Sequence, residues 1–252
     1  MKTRRTRKAI RRQGRVATIL AAAGVAAVAS GGGPGGGAVA RTAQIEPPPD
    51  PAQFSRTVDN PLFPASTLRF KSMRGTERGE NGRLVRVRIE TRVLRRTHRV
   101  AGVSVLVVQD RDFEGGELVE RTFDYFAQDR QGNVWYFGED VDDLEDGRVV
   151  GHEGQWLAGR RGAKPGLFMP AAPAVGQTFE QERAPRVAED RSTVLAVGIR
   201  MRTRAGTFSG CIKTRDFAPL DRLVETKYYC PRVGLARQLD RRGGKVEVAR
   251  FG

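Results

Sequence analysis

The chain has 252 residues, with 44 Lys and Arg against 29 Asp and Glu and a formal net charge of +15 at pH 7. Eight of the basic residues and none of the acidic ones lie in residues 1–40, so the remainder is only mildly basic, which argues against a nucleic-acid-binding protein. The hydrophobic content of 39% excludes both a polytopic membrane protein and a chain that is disordered throughout.

Residues 1–40 have the pattern of an export signal. A basic segment is followed by an apolar run from Val16 to Ala29, and then by a stretch of glycines that ends in Ala38-Val39-Ala40. The small-x-small ending predicts cleavage after Ala40. The apolar run has 14 residues, fewer than the roughly 20 that a bilayer-spanning helix needs. We therefore favour a removed signal peptide over a retained membrane anchor.

Residues 41–58 are predicted to be a linker, because Pro47-Pro48-Pro49 and Pro51 favour a stiff, extended chain. Strand patterns dominate residues 59–252, which we interpret as one domain. Val87, Ile89 and Thr91 alternate with charged residues, which predicts a strand over 84–94 with one buried face. Further strands are predicted near 67–73, 103–108, 119–127, 134–137, 148–157, 177–183, 193–203, 207–216, 223–230, 233–239 and 245–251.

Turn residues separate these segments, and no long window has helical periodicity. The predicted fold is therefore all-β: a single antiparallel domain of about ten strands, forming a strongly curved sheet that is barrel-like or a sandwich.

Cys211 and Cys230 are the two cysteines of the sequence. If the hairpin between their strands is centred between Leu220 and Asp221, the two cysteines are directly opposite each other, within the reach of a disulfide. Closing this loop stabilises the fold by about 3 kcal/mol in the chain-entropy model. A disulfide fits an exported protein, because such bonds persist outside the cytosol.

Four phrases of the sequence are familiar as a set: residues 60–64 (NPLFP), 126–139 (FAQDRQGNVWYFGE), 162–170 (GAKPGLFMP) and 227–235 (KYYCPRVGL). In this order they resemble a family of exported bacterial β-rich proteins, often lipoproteins, that carry no assigned activity. The chain lacks the lipobox Cys of the lipidated relatives, and Arg232 stands where the family usually has Gly. The resemblance implies an exported or cell-envelope location and supplies no catalytic residues.

The acidic run at residues 139–146 holds six carboxylates in eight residues. Calcium prefers several oxygen ligands on a flexible loop, but the spacing differs from that of the twelve-residue calcium loop. We therefore favour a solvated connection before the turn at Asp146-Gly147, with calcium as the alternative. The sequence otherwise indicates no cofactor and no metal site.

A series of arginines follows the predicted strand at 84–94 and the residues after it: Arg86, Arg88, Arg92, Arg95, Arg96 and Arg99. One interpretation is that they are solvated outward positions, paired with Glu117, Glu120 and Asp124 on neighbouring strands. The other is that they contact anionic head groups or wall polymers. We favour the first.

Five aromatic residues are candidates to line a ligand cavity on the concave face of the sheet: Trp135, Tyr136, Trp156, Tyr228 and Tyr229. No catalytic constellation is evident, so the leading hypothesis is a non-enzymatic envelope or secreted protein. It would bind an apolar or amphipathic ligand, a lipid, another envelope component or a partner protein. One alternative is a secreted hydrolase that uses Glu, Asp or His152 from separate strands, and another is a structural or adhesive envelope module.

Overall fold

The computed structural model describes residues 45–48, 50–79 and 82–252. The predicted signal at 1–40 and its cleavage position after Ala40 lie outside these residues. In the part of the chain that is described, no helix is both long and apolar enough to cross a bilayer. One short 3-10 turn, Pro51–Gln53, precedes the first strand.

Fifteen strands, all paired antiparallel, form one sheet in the described residues. They are β1 (Phe54–Ser55), β2 (Phe70–Arg78), β3 (Leu84–Val100), β4 (Val103–Glu114), β5 (Glu117–Asp129), β6 (Val134–Glu145), β7 (Arg148–Gly151), β8 (Trp156–Leu157), β9 (Gly166–Met169), β10 (Thr178–Glu180), β11 (Arg191–Thr203), β12 (Gly206–Ala218), β13 (Leu223–Cys230), β14 (Gly234–Asp240) and β15 (Lys245–Phe251).

The strands follow the order β10-β11-β12-β13-β14-β15-β2-β3-β4-β5-β6-β7, while β1 pairs with β5, and β8 and β9 pair with β6. The C-terminal strand β15 lies beside β2, and hairpins make the other connections along this path. The path has two ends, β10 and β7, so the sheet is not closed into a barrel.

The sheet is strongly curved. Lys227 and Tyr229 on β13 line the same cavity as Asp124 and Phe126 on β5, although five strands lie between β13 and β5 in the sheet. The right-handed twist of adjacent strands accumulates across a sheet of this width and allows such curling. The prediction of an all-β, antiparallel, curved fold is confirmed, with more than the ten strands expected.

The hairpin of β12 and β13 has the predicted register. Ile212 is opposite Tyr229 and Ala218 is opposite Leu223, so the cysteines at 211 and 230 face each other. The Cys211–Cys230 disulfide is present, with 4.1 Å between the Cα atoms. Both cysteines are fully buried, so the bond ties the two strands together inside the core.

Two segments depart from the sequence-based expectation. The acidic run at 139–146 is not a solvated connection, because β6 continues to Glu145 and only the turn at Asp146 follows it. Strand alternation places Glu139 on the inner face and Asp140 on the outer face, and Glu139 is buried. Strand β9 was not predicted, because its run of apolar residues is too short to indicate a strand by alternation.

The end of the predicted linker packs on the sheet. Phe54 is 5.3 Å from Phe137 between ring centroids, and Val58 is fully buried. The amide of Val58 donates to the Ser66 hydroxyl at 2.7 Å. These contacts hold residues 58–66 over the concave face of the sheet.

Arg232 adopts a left-handed backbone conformation, with φ of 71°. Glycine adopts this conformation without steric cost, whereas a side chain raises its energy. A glycine would therefore adopt this backbone conformation at lower energy than the arginine that the chain has here.

Candidate functional site

The four phrases singled out in the sequence come together around one cavity on the concave face. The side-chain amide of Asn60 donates to the carbonyls of Gly132 at 3.0 Å and Pro170 at 3.2 Å, which joins the first three phrases. Phe63 packs on Phe126 and Phe168, with ring centroids 4.7 and 4.8 Å away. Residues far apart in the sequence thus form one site.

The cavity, which we call the inner cavity, has a volume of about 50 Å³. Apolar side chains form most of its wall, including Phe63, Leu68, Met73, Ile89, Phe126 and Phe168. Four ionisable side chains also line it: Lys71, Asp110, Asp124 and Lys227. An apolar wall with a few polar groups is the usual composition of a ligand-binding cavity.

Lys71 and Asp110 form one charged pair of the wall. Burial lowers the pKa of Lys71, and the charge of Asp110 opposes this shift. Burial likewise raises the pKa of Asp110, and Lys71 opposes that shift. Each charge therefore offsets part of the cost of burying the other, although burial remains the larger effect on both pKa values.

Asp124 of the cavity wall accepts hydrogen bonds from two hydroxyl groups. The Tyr136 hydroxyl donates to it at 2.7 Å, and the Thr122 hydroxyl donates at 3.1 Å. Burial, reinforced by the charge of Asp110, raises the pKa of Asp124 to about 7 despite these hydrogen bonds. Asp124 can therefore gain or lose a proton near neutral pH.

A second carboxyl group lies directly across from Asp124. Glu139 on β6 is its cross-strand partner, and 2% of Glu139 is exposed. Burial, together with the charges of Asp124 and Glu182, raises the pKa of Glu139 well above its usual range. This shift favours the protonated form of the Glu139 carboxyl, which avoids two adjacent buried charges.

Lys227 is satisfied by two acids of its own. Its Nζ lies 3.2 Å from Asp216 and 3.2 Å from Glu225, and all three side chains are buried. Burial alone would lower the pKa of Lys227, but the two carboxylates outweigh it and raise the pKa. Lys227 is thus a permanent cation that a ligand does not need to neutralise.

The five aromatic candidates are divided between two faces of the sheet. Tyr229 lines the inner cavity. Tyr136 lies behind it, 5.5 Å from Trp156 between ring centroids. Trp135 points away, with its indole N–H donating to Asp129 at 2.8 Å, and half-buried Tyr228 lies beside Lys213 on the same side as Trp135. Alternation along β6 and β13 explains this division.

The histidines are remote from the inner cavity. His98 is exposed and stacks on Tyr125 at 4.6 Å, while 58% of the His152 side chain is exposed beside Asp142. Neither residue lines the cavity. In the described ranges, no three His, Cys, Asp or Glu side chains are grouped so that they could hold a metal ion. The carboxylates of the acidic run at 139–146 alternate between the two faces of β6, so they do not converge on one point.

The charged lining was missed in the sequence because these residues alternate with apolar ones. On β5, alternation in the sequence predicts that Asp124 is on the outward face, opposite the apolar side chains of Phe123 and Tyr125. In the structure Asp124 lies on the inner face and Tyr125 is also buried. Asp124 is therefore not a solvated partner of the arginine series, because it is buried and accepts hydrogen bonds from the Tyr136 and Thr122 hydroxyls. Glu120 is buried as well. Alternation in the sequence separates the two faces of β5 but does not tell which of them is the inner one when both are covered.

Comparisons with known proteins give one likeness in structure. No protein-family model matches the chain, and no curated protein matches it. A crystal structure described as a "putative lipoprotein" from Parabacteroides distasonis is similar, with 10% identity and a TM-score of 0.39, over 76% of this chain and 98% of that chain. A likeness of this size carries nothing about ligand or activity.

Proposed function

We propose that this is an exported, non-enzymatic β-sheet protein that binds an amphipathic ligand in the inner cavity. The observation that supports the proposal is the lining itself, an apolar wall that carries buried ionisable groups. Burying such groups costs free energy, so a protein that needs only a stable core would fill this space with apolar side chains. The buried disulfide supports an oxidising, extracytoplasmic location.

The charges of the wall favour a ligand with a cationic head. Lys71 is balanced by Asp110, and Lys227 by Asp216 and Glu225. Asp124 has hydroxyl partners but no cation among the described residues. An ammonium group beside Asp124 would supply that missing charge, while the alkyl part of the ligand would contact the aromatic wall.

Ligand access requires the covering segment, residues 62–68, to move. The cavity of about 50 Å³ is well below the several hundred Å³ of a typical ligand site. Phe63, Pro64, Ala65 and Leu68 of this segment line its outer side. Displacing them would enlarge the cavity without breaking a pairing between strands.

The test is titration calorimetry with hexylamine, hexanoate and hexanol, which share one chain and differ in head group. Hexylamine is expected to bind best, and its affinity is expected to rise with pH through about 7 as Asp124 loses its proton. Asp124→Asn is expected to remove that pH dependence. Ala65→Leu, which fills the cavity, is expected to abolish binding of all three probes.

The matched control is Ala163→Leu, at a buried alanine that does not line the cavity. Near-ultraviolet circular dichroism first establishes that both leucine variants are folded. Absence of binding by every probe, or equal binding to the Ala65→Leu and Ala163→Leu variants, would contradict the proposal.

A further inference from the structure

The outer face of the sheet carries an open groove of about 590 Å³ with a lining very different from that of the inner cavity. Its charged side chains are five cations and one acid: Arg74, Arg86, Arg88, Arg204, Lys245 and Glu247. We call this feature the basic groove. It lies on β15, β2 and β3 and is bordered by the β4–β5 turn and the β11–β12 turn.

The register of the sheet creates this concentration of charge. Arg74 on β2 is opposite Arg88 on β3 and Glu247 on β15. Thr76 is likewise opposite Arg86 and Lys245. Side chains that are directly opposite, or two residues apart on a strand, share a face at spacings of roughly 5–7 Å. The cations therefore form a compact cluster to which three neighbouring strands contribute.

The acid of the groove is already neutralised several times. Glu247 lies 2.8 Å from Arg237, 3.0 Å from Lys245 and 3.6 Å from Arg204. Burial alone would raise the pKa of Glu247, but the hydrogen bonds from Lys245 and Arg237 outweigh it and the pKa is lowered. Glu247 is therefore ionised, and three cations already surround its carboxylate. The groove as a whole keeps an excess of positive charge.

Arg88 is held in place at the centre of the groove. Its guanidinium lies 3.6 Å from the centroid of the Phe113 ring, and it forms an ion pair with Glu90, which also binds Arg111 at 2.5 Å. Burial, and then the charges of Arg74 and Arg111, lower the pKa of Arg88. Like charges are thus crowded around a guanidinium that the Phe113 ring and Glu90 hold at this position.

Arg74 and Arg86 are exposed, and no acidic side chain of the described ranges forms an ion pair with either. Gly115 and Gly116 form the neighbouring wall, and open space lies where their side chains would be. A ligand can therefore approach both guanidinium groups and the adjacent backbone without steric obstruction.

From this geometry we propose that the basic groove binds a ligand carrying two or more phosphoryl groups. Guanidinium groups match phosphate oxygens with pairs of parallel hydrogen bonds. A phosphoryl dianion relieves the repulsion among clustered cations more than a carboxylate does, because the attraction grows with charge. The phosphoryl groups can belong to a soluble polyphosphate or to lipid head groups at a membrane surface, and both have the same chemistry here.

The experiment measures binding of tripolyphosphate by calorimetry and binding of phosphatidic-acid vesicles by sedimentation, with phosphatidylcholine vesicles as blank. The test variant is Arg74→Gln with Arg86→Gln, which leaves no described acid without its partner. The control is Arg95→Gln with Arg99→Gln, at two exposed positions on β3 outside the groove. It removes the same amount of charge from the same sheet.

We expect the test variant to weaken binding about tenfold or more, since each charge-assisted hydrogen bond contributes substantially. The control variant should bind as the unmodified protein does, and added salt should weaken binding. Loss of tripolyphosphate binding identifies a soluble ligand, and loss restricted to vesicles identifies a lipid surface. Equal effects of the two variants, no binding of either probe, or equal binding of polyglutamate would overturn the proposal.

Discussion

Lys227 illustrates how a single buried charge becomes essential to the fold. It lies between Asp216 and Glu225, each 3.2 Å away, and all three residues are buried. Ion pairs of this kind contribute little relative to an apolar core, but breaking one leaves an uncompensated charge. Removing Lys227 is therefore expected to destabilise the fold by more than the intact ion pairs stabilise it.

We expect Lys227→Met to lower the free energy of unfolding by about 3–5 kcal/mol, because two buried carboxylates lose their cation. Urea denaturation measures the change. The control is Lys213→Met, at a half-buried position on β12, which should cost no more than about 0.5 kcal/mol. Adding Asp216→Asn and Glu225→Gln to Lys227→Met should recover part of the loss. Equal stability of the Lys227→Met and Lys213→Met variants would refute this account of the triad.

At the scale of elements, the hairpin of β12 and β13 is joined by a covalent bond. The disulfide connects residues 19 apart in sequence, and it links β12 to β13, the strand that contributes Lys227 and Tyr229 to the inner cavity. Its main effect is to restrict the conformations of the unfolded chain, and closing a loop of this length lowers the entropy of that chain appreciably.

Cys211→Ala with Cys230→Ala is expected to lower the free energy of unfolding by about 3 kcal/mol. A reductant should lower the melting temperature of the unmodified protein and leave that of the variant unchanged. Mass spectrometry of the exported protein provides a second readout, with an expected start at Arg41 and a mass two hydrogens below the reduced value. A free thiol at either cysteine would show that the bond does not form.

At the scale of the whole molecule, the interior holds carboxyl groups whose pKa values are raised. Burial is the first cause for both Asp124 and Asp190, and it places the pKa of each at about 7. In the unfolded chain an aspartate has a pKa near 3.9. The folded protein therefore binds more protons than the unfolded chain between about pH 4 and pH 7, and these groups stabilise the fold less as pH rises through that window.

Asp124→Asn with Asp190→Asn is therefore expected to be more stable relative to the unmodified protein at about pH 8 than at about pH 5. Urea denaturation across this range measures the difference, with Asp146→Asn, at an exposed turn, as the control. An identical pH dependence in the double variant and the unmodified protein would show that these carboxyls do not titrate as described.

The amino-acid sequence by itself was sufficient to predict the antiparallel all-β fold and the register of the disulfide hairpin. Period-two alternation over 84–94 identifies a half-buried strand, and the turn after Ala218 fixes which residues of β12 and β13 are opposite. These features are local, since each depends on residues within one strand or one hairpin.

The curvature of the sheet and both candidate sites were decided by the tertiary structure. Asp124 and Lys227 line one cavity only because the sheet curls through five intervening strands. Arg74, Arg88 and Lys245 share a groove only because β15 returns to pair with β2. Alternation separates the two faces of a strand, but it cannot tell which face is inside when both are covered, and it contains nothing about contacts between distant strands.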